Sequence, residues 1–354
     1  MITILGGGFA GLLCALKLSK HLPVLLINGS PYFEERTRLH QLAAGQTVNQ
    51  LRLEQMLPGQ FMQGWVTAIR PSERLLEVAT PSGVRNLTYQ QLVIALGSYT
   101  DMERLPGAAE HCYSLDGESA RRLARDLPGR GRLLIIGDGL TGVELAAELA
   151  ESHPGLHITL SGAHGPGHDL APGARRYVRA ILQRLGVRLH IGQTGSVEPG
   201  KAGDLEFDLG VYCGGFRASP LPTEAGLPVN QLGQLLVDQY LNCLGHPDIW
   251  AIGDAACPPV AQRMSCATAL PMAASLAENL LARAEGRPLK PFRQRFVGRC
   301  FSLGRKRGLL QLVRPDDSLL PFYLWGGPAA WVKERILSGI AVGALKRAAG
   351  NARS

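Results

Sequence analysis

Two copies of one glycine fingerprint constrain this chain more than anything else in it. The first, Gly6-Gly7-Gly8-Phe9-Ala10-Gly11, follows the apolar run Ile2-Thr3-Ile4-Leu5 and leads into Leu12–Leu18. The second, Gly137-Asp138-Gly139-Leu140-Thr141-Gly142, follows Leu133–Ile136 and leads into Val143–Ala150. Each is G-x-G-x-x-G between a short apolar strand and a helix, the context that the motif requires. The first glycine permits a tight turn, the second lets backbone approach a pyrophosphate, and the third lets helix pack on strand. The helix N-terminus then offers unpaired N–H groups and partial positive charge to the phosphates. Gly6, Gly8, Phe9, Ala10 and Gly11 in one unit, and Gly137, Gly139, Leu140, Thr141 and Gly142 in the other, are therefore candidate nucleotide-binding residues. Two such units imply two dinucleotides, and electron transfer between them.

A chain of 354 residues fills roughly two to three domains. Its opening apolar run lacks a basic leader and itself carries the first fingerprint, so it does not read as a secretory signal. No run reaches the roughly 18 uncharged apolar residues that a membrane-spanning helix needs. A soluble or peripheral protein is expected, cytoplasmic or on the inner membrane face. Seven cysteines are scattered without a C-x-x-C or C-x4-C pair. That pattern fits a reducing compartment and removes a closely spaced redox disulfide from consideration. No metal-ligand spacing is apparent, and no metal is expected.

The net charge is +8, with much of the excess late in the chain, from Arg293 through Arg305, Lys306, Arg307, Lys333 and Arg335 to Arg353. Such a basic end suits an anionic membrane surface or an acidic partner, or is simply a solvated face. Nucleic acid is not expected, because the arginines lack interleaved aromatics for base stacking. The segment Ala329–Arg347, with Trp331 and flanking bases, reads as a helix near 328–346. It could lie in a membrane interface, dock on the body or meet a second copy of the chain as a homodimer.

Between the fingerprints, Val24–Ile27 reads as a second buried strand closing on Asn28, where an acid is expected to bind a ribose. Arg36, Arg38 and His40 follow on a segment ending as a helix, placed to reach a pyrophosphate or flavin edge, or to pair with Glu34 and Glu35. Residues 64–80 read as a hairpin, and Leu92–Leu96 as a buried strand running into Gly97-Ser98. A Pro/Gly-containing connection over 101–116 marks a first crossing between domains. In the second unit, His157–Leu160 ends at Ser161, again without an acid. That loss makes NADPH admissible, with Arg175 or Arg176 as counter-charge or as plain surface residues. Leu209–Cys213 runs into Gly214, and Ile249–Ile252 into Gly253-Asp254. Residues 271–281 read as a helix with proline at its start, followed by a β-rich piece from about Phe292.

These ordered motifs resemble the two-dinucleotide-binding flavoproteins, and within them the type II NADH dehydrogenase and apoptosis-inducing-factor-like branch, over about residues 1–310. The resemblance implies an α/β fold with two Rossmann-like domains, the second inserted in the first, and a small α+β C-terminal region. The expected parts are 1–112 and 223–290 for FAD, 113–222 for NADH or NADPH, and 291–354 for the acceptor, an interface or membrane contact. Asp254 is implied to bond the ribityl chain of FAD. The start of the 271–281 helix, with Pro271, Met272 and Ala273, is implied to face the flavin. Val66, Ala95, Gly97, Gly253 and Gly214 are implied to border the nucleotides, with Asn28 and Ser161 at the two ribose positions. Glu144, one turn inside the second helix, is implied to sit near nicotinamide and flavin; alternatively it is an ordinary surface glutamate.

The implied activity is hydride transfer from NAD(P)H to flavin, then electron transfer to a small acceptor such as a quinone. A dehydrogenase or oxidase of an organic substrate, a reductase of a small redox protein, and a slowly turning redox-regulatory flavoprotein stay open.

Overall fold

The computed structural model describes residues 1–48, 50–260, 262–336, 339 and 342–350. Part of the expected 328–346 helix, at positions 337, 338, 340 and 341, lies outside the described residues, as does Arg353.

Two five-stranded parallel sheets organise the chain. The first is built on β1 (Ile2–Leu5), β2 (Val24–Asn28), β3 (Phe61–Gln63), β4 (Gln91–Ile94) and a late strand, Ile249–Ala251, in the order late strand, β4, β1, β2, β3. The second takes Cys112–Tyr113 at one edge, then Leu209–Tyr212, β5 (Gly131–Ile136), β6 (Leu156–Gly162) and β7 (Arg188–Ile191). The chain leaves the first sheet after β4, completes the second, and returns at Ile249. Parallel strands need crossovers, so both sheets are covered by helices and their strands read as apolar runs.

Helix α1 (Phe9–Leu18) follows β1 and is buried at every position but Lys17. It packs against a long late helix, Cys266–Ala284, which closes the first core. Trp250 is fully buried there, and its indole N–H is satisfied by Gln91 Oε1 at 2.8 Å. In the second unit α2 (Gly117–Asp126) begins on an Asp116 side chain that accepts from Glu118 N and Ser119 N. Helix α3 (Leu140–Ser152) follows β5, and α4 (Pro172–Arg184) links β6 to β7.

The hairpin over Trp65–Arg70 and Leu75–Thr80 gains a third strand, Gly83–Thr88. The C-terminal region is a three-stranded antiparallel sheet, Gly298–Ser302, Gly308–Val313 and Leu319–Trp325, with the helix α5 (Gly326–Arg335) on it. A last helix, Val342–Gly350, packs against α1.

The late helix begins at Cys266, five residues before Pro271, which corrects the expectation of a start at 271. Proline inside a helix removes the N–H that would bond the carbonyl four residues back. That carbonyl, Ala267 O, instead accepts from Gln294 Nε2 at 3.2 Å. Met272 and Ala273 are buried in the first core.

Candidate active site

The two fingerprints fold alike. Gly6 and Gly137 have φ of +101° and +123°, in the region that favours glycine. A Cβ on Gly11 would lie 1.9 Å from Gly6 O, and one on Gly142 would lie 1.9 Å from Gly137 O. Only glycine therefore lets each helix close on its own turn. A Cβ on Gly8 or Gly139, by contrast, would meet nothing within 4 Å. Both middle glycines face open space, as a close pyrophosphate approach requires.

Both loops border one cleft of about 280 Å³. Gly8, Phe9 and Ala10 line it from the first unit, and Thr141 and Glu144 from the second. Ala95, Gly97, Gly253 and Asp254 line the same cleft, with Arg36 and Thr37. Asp254 accepts from Ser98 Oγ at 2.7 Å, and burial raises its carboxyl above the usual range. Arg36 donates to Ser98 O and lies over the Phe216 ring at 5.9 Å. The Thr37 hydroxyl is buried, with no hydrogen-bond partner among the described residues. A polyhydroxylated, phosphate-bearing cofactor fits this lining: open glycine backbone, an acceptor carboxylate and an unsatisfied hydroxyl.

The start of the late helix reaches the cleft through Met264, Ser265, Cys266 and Ala269. Its positive dipole end is thus offered to the cleft by residues earlier than Pro271, Met272 and Ala273. Arg38 is drawn elsewhere: its guanidinium pairs with Glu35 at 2.8 Å and Glu334 at 2.6 Å, outside the cleft lining. Val66 packs on the first core rather than in the cleft. Leu140 packs on the second core, and Gly214 lies against the Gly137 turn.

Position 161 also needs correcting. Ile136 pairs with Ser161, so the residue level with Gly137 is Gly162, as Asn28 is level with Gly6. The Ser161 side chain is fully buried and bonds His190 Nδ1 at 3.0 Å. Asn28 sits at the glycine loop, where Oδ1 accepts from Gly7 N at 2.8 Å.

Glu144 is not a surface glutamate. Its Oε1 meets the ammonium of Lys333 and accepts from Ser302 N at 2.8 Å and Ser302 Oγ at 3.0 Å. Burial pushes the carboxyl up, but Lys333, His40 and these hydrogen bonds outweigh it and bring it to about 2. His40 is buried beside it, with Nε2 at 3.2 Å from Ser302 Oγ. Burial, reinforced by Lys333, Arg305 and Arg38 against the pull of Glu144, takes His40 down to about 3. At neutral pH the group is an ionised acid, an ammonium and a neutral imidazole. Lys333, Ser302, Ser98, Thr37 and Asp138 were not among the site residues that the sequence suggested. Lys333 was visible only as one cation on a basic helix, with no signal that it turns inward.

The chain belongs to the pyridine nucleotide-disulphide oxidoreductase family, whose profile matches residues 1–278. It is 28% identical to demethylphylloquinone reductase of Synechocystis, over 95% of this chain and 90% of that protein. It is 26% identical to the type II NADH:quinone oxidoreductase of Haemophilus influenzae, over 88% and 87%. The fold matches NDH2 of Plasmodium falciparum in complex with NADH, with a TM-score of 0.84 at 16% identity, covering 99% of this chain and 96% of that one.

Proposed function

We propose that this chain is an FAD-dependent NAD(P)H oxidoreductase that delivers electrons to a quinone, in the manner of type II NADH dehydrogenases. One observation carries the reading: the two nucleotide loops open on the same cleft, with Gly8–Ala10 on one wall and Thr141 and Glu144 on the other. The named quinone reductases among its relatives support the acceptor class.

FAD, when bound, would supply the two-electron redox chemistry. The protein binds and orients. Gly6–Gly11 would hold the FAD pyrophosphate, and Asp254 and Thr37 would be the partners of its polyol chain. The N-terminal end of the late helix would favour negative charge on a bound flavin. Glu144 stays ionised across the working range and acts as a fixed acceptor toward the nicotinamide ribose, not as a proton donor. Lys333 and Ser302 hold it in place.

The membrane-facing surface in this reading is the C-terminal sheet and α5. Phe322, Trp325 and Trp331 are exposed there, with Arg335 stacked on Trp331 at 5.2 Å. Aromatics with adjacent cations suit a lipid interface. Among the described residues no helix is long and apolar enough to cross a membrane.

The test is anaerobic titration of the FAD-loaded protein with NADH or NADPH, then with a short-chain ubiquinone or menaquinone. Bleaching of the visible flavin band by a nucleotide and its return with quinone is the expected result. A flavin that neither nucleotide bleaches overturns the proposal. One that bleaches but is not reoxidised by quinones overturns the acceptor. Co-sedimentation with anionic vesicles, weakened by Trp331→Ser, tests the membrane face.

A further inference from the structure

The two nucleotide units carry their polar side chain in the same slot from opposite sides. In the first unit Asn28 supplies it from the strand end, and the glycine loop leaves room with Gly7. A Cβ on Gly7 would lie 3.1 Å from Asn28 Cγ. In the second unit the strand-end position is Gly162, and the loop position equivalent to Gly7 is Asp138. A Cβ on Gly162 would lie 2.2 Å from Asp138 Cγ. Each slot admits one side chain, and the second unit has moved its acid from the strand to the loop.

We infer that Asp138 is the residue that reads the adenosine ribose of the nicotinamide nucleotide, and that it makes this an NADH site. The ribose hydroxyls of such a nucleotide are recognised by an acid in this slot. The Asp138 side chain is only 8% exposed and is held in place: Oδ2 accepts from His164 N at 2.9 Å and from Gly165 N. Among the described residues nothing donates to Oδ1. That oxygen is the acceptor for a ribose hydroxyl.

The neighbouring cations do not prepare the slot for a 2′-phosphate. Arg175 donates to Gly167 O at 3.2 Å and His168 O at 2.7 Å. Arg179 donates to Pro166 O at 3.3 Å and His164 O at 3.4 Å. Both guanidiniums brace the glycine-rich loop, so a 2′-phosphate would meet a carboxylate beside arginines turned to the loop carbonyls. Like charges at such range disfavour binding.

The inference rests on the second unit being the nicotinamide nucleotide site. Its test is binding of NAD+ and NADP+ to the oxidised, FAD-loaded protein by titration calorimetry, beside flavin reduction by NADH and NADPH. The wild type should bind NAD+ more tightly. Asp138→Asn keeps an oxygen for the loop N–H groups and removes the charge. It should narrow the NAD+/NADP+ ratio by about 10- to 100-fold, the range for a hydrogen bond to a charged group. The double variant Asp138→Gly/Gly162→Asp returns the acid to the strand end and should restore the preference. It also carries the test where Asp138→Asn fails to fold. A wild type with no preference or an NADP+ preference overturns the inference, as does Asp138→Asn weakening both nucleotides equally. Each of these leaves the oxidoreductase reading standing. A wild type that binds neither nucleotide and is reduced by neither overturns that reading instead, and the inference with it.

Discussion

The ammonium of Lys333 contacts the carboxylate of Glu144, 189 residues earlier in the chain, and Glu144 lines the cleft between the two nucleotide loops. Lys333 is 4% exposed, so this is a buried charge pair rather than a surface one. Through it the C-terminal helix grips the helix that follows the second glycine loop.

Removing one partner of a buried pair strands the other charge, at a cost of about 3–5 kcal/mol. Lys333→Met should therefore destabilise the protein by about that much in urea denaturation. Lys333→Met combined with Glu144→Gln should recover most of the loss. Equal stability of the single and double variants would show that the pair is not coupled.

His40 makes stability fall with acid. Its folded pKa, about 3, lies below its ordinary value of 6.5, so between these values the unfolded chain binds the extra proton. The stabilisation is complete above about 6.5 and is lost as pH falls toward about 3. His40→Gln, which cannot take up that proton, should flatten the dependence of Tm on pH between about 6.5 and 4. An unchanged slope would assign it to other groups. Glu144 adds its own loss only lower, between its ordinary 4.5 and about 2.

The two fingerprints should be separable by methyl groups. In Gly142→Ala the new Cβ meets Gly137 O at 1.9 Å, which forces the turn to shift. Overpacking of this kind should weaken NADH reduction of the flavin about tenfold or more while FAD stays bound. Gly11→Ala, equally close to Gly6 O, should instead lose FAD on gel filtration. The reverse pairing of defects would exchange the assigned nucleotides.

Gln294 and Pro271 form a compensating pair. Gln294→Ala leaves Ala267 O without its side-chain donor and should cost about 1 kcal/mol in urea denaturation. In a Pro271→Ala background the new backbone N–H bonds that carbonyl, and the same change should cost close to nothing. An equal cost in both backgrounds would refute the compensation.

The glycine motifs and their flanking strands were legible in the sequence because their demands are local. Asn28 was placed correctly at its strand end for the same reason. Misplacements arose where a boundary depended on a distant partner. Pro271 reads as a helix start until Gln294 is seen to serve the carbonyl that it orphans. Arg38 reads as a phosphate ligand until Glu334 arrives from the C-terminal helix. Ser161 was one residue out, because the strand end is defined by pairing with β5 and not by composition.

What the sequence by itself determined is the pair of nucleotide-binding units. Each rests on a turn and a helix approach that only glycine allows, within six consecutive residues. Only the tertiary structure decided that Lys333 and Glu144 meet, and that Asp138 fills the slot left by Gly162. Such contacts join positions far apart in the chain, and they exist only once parallel strands have taken their register and buried charges have found each other out of water.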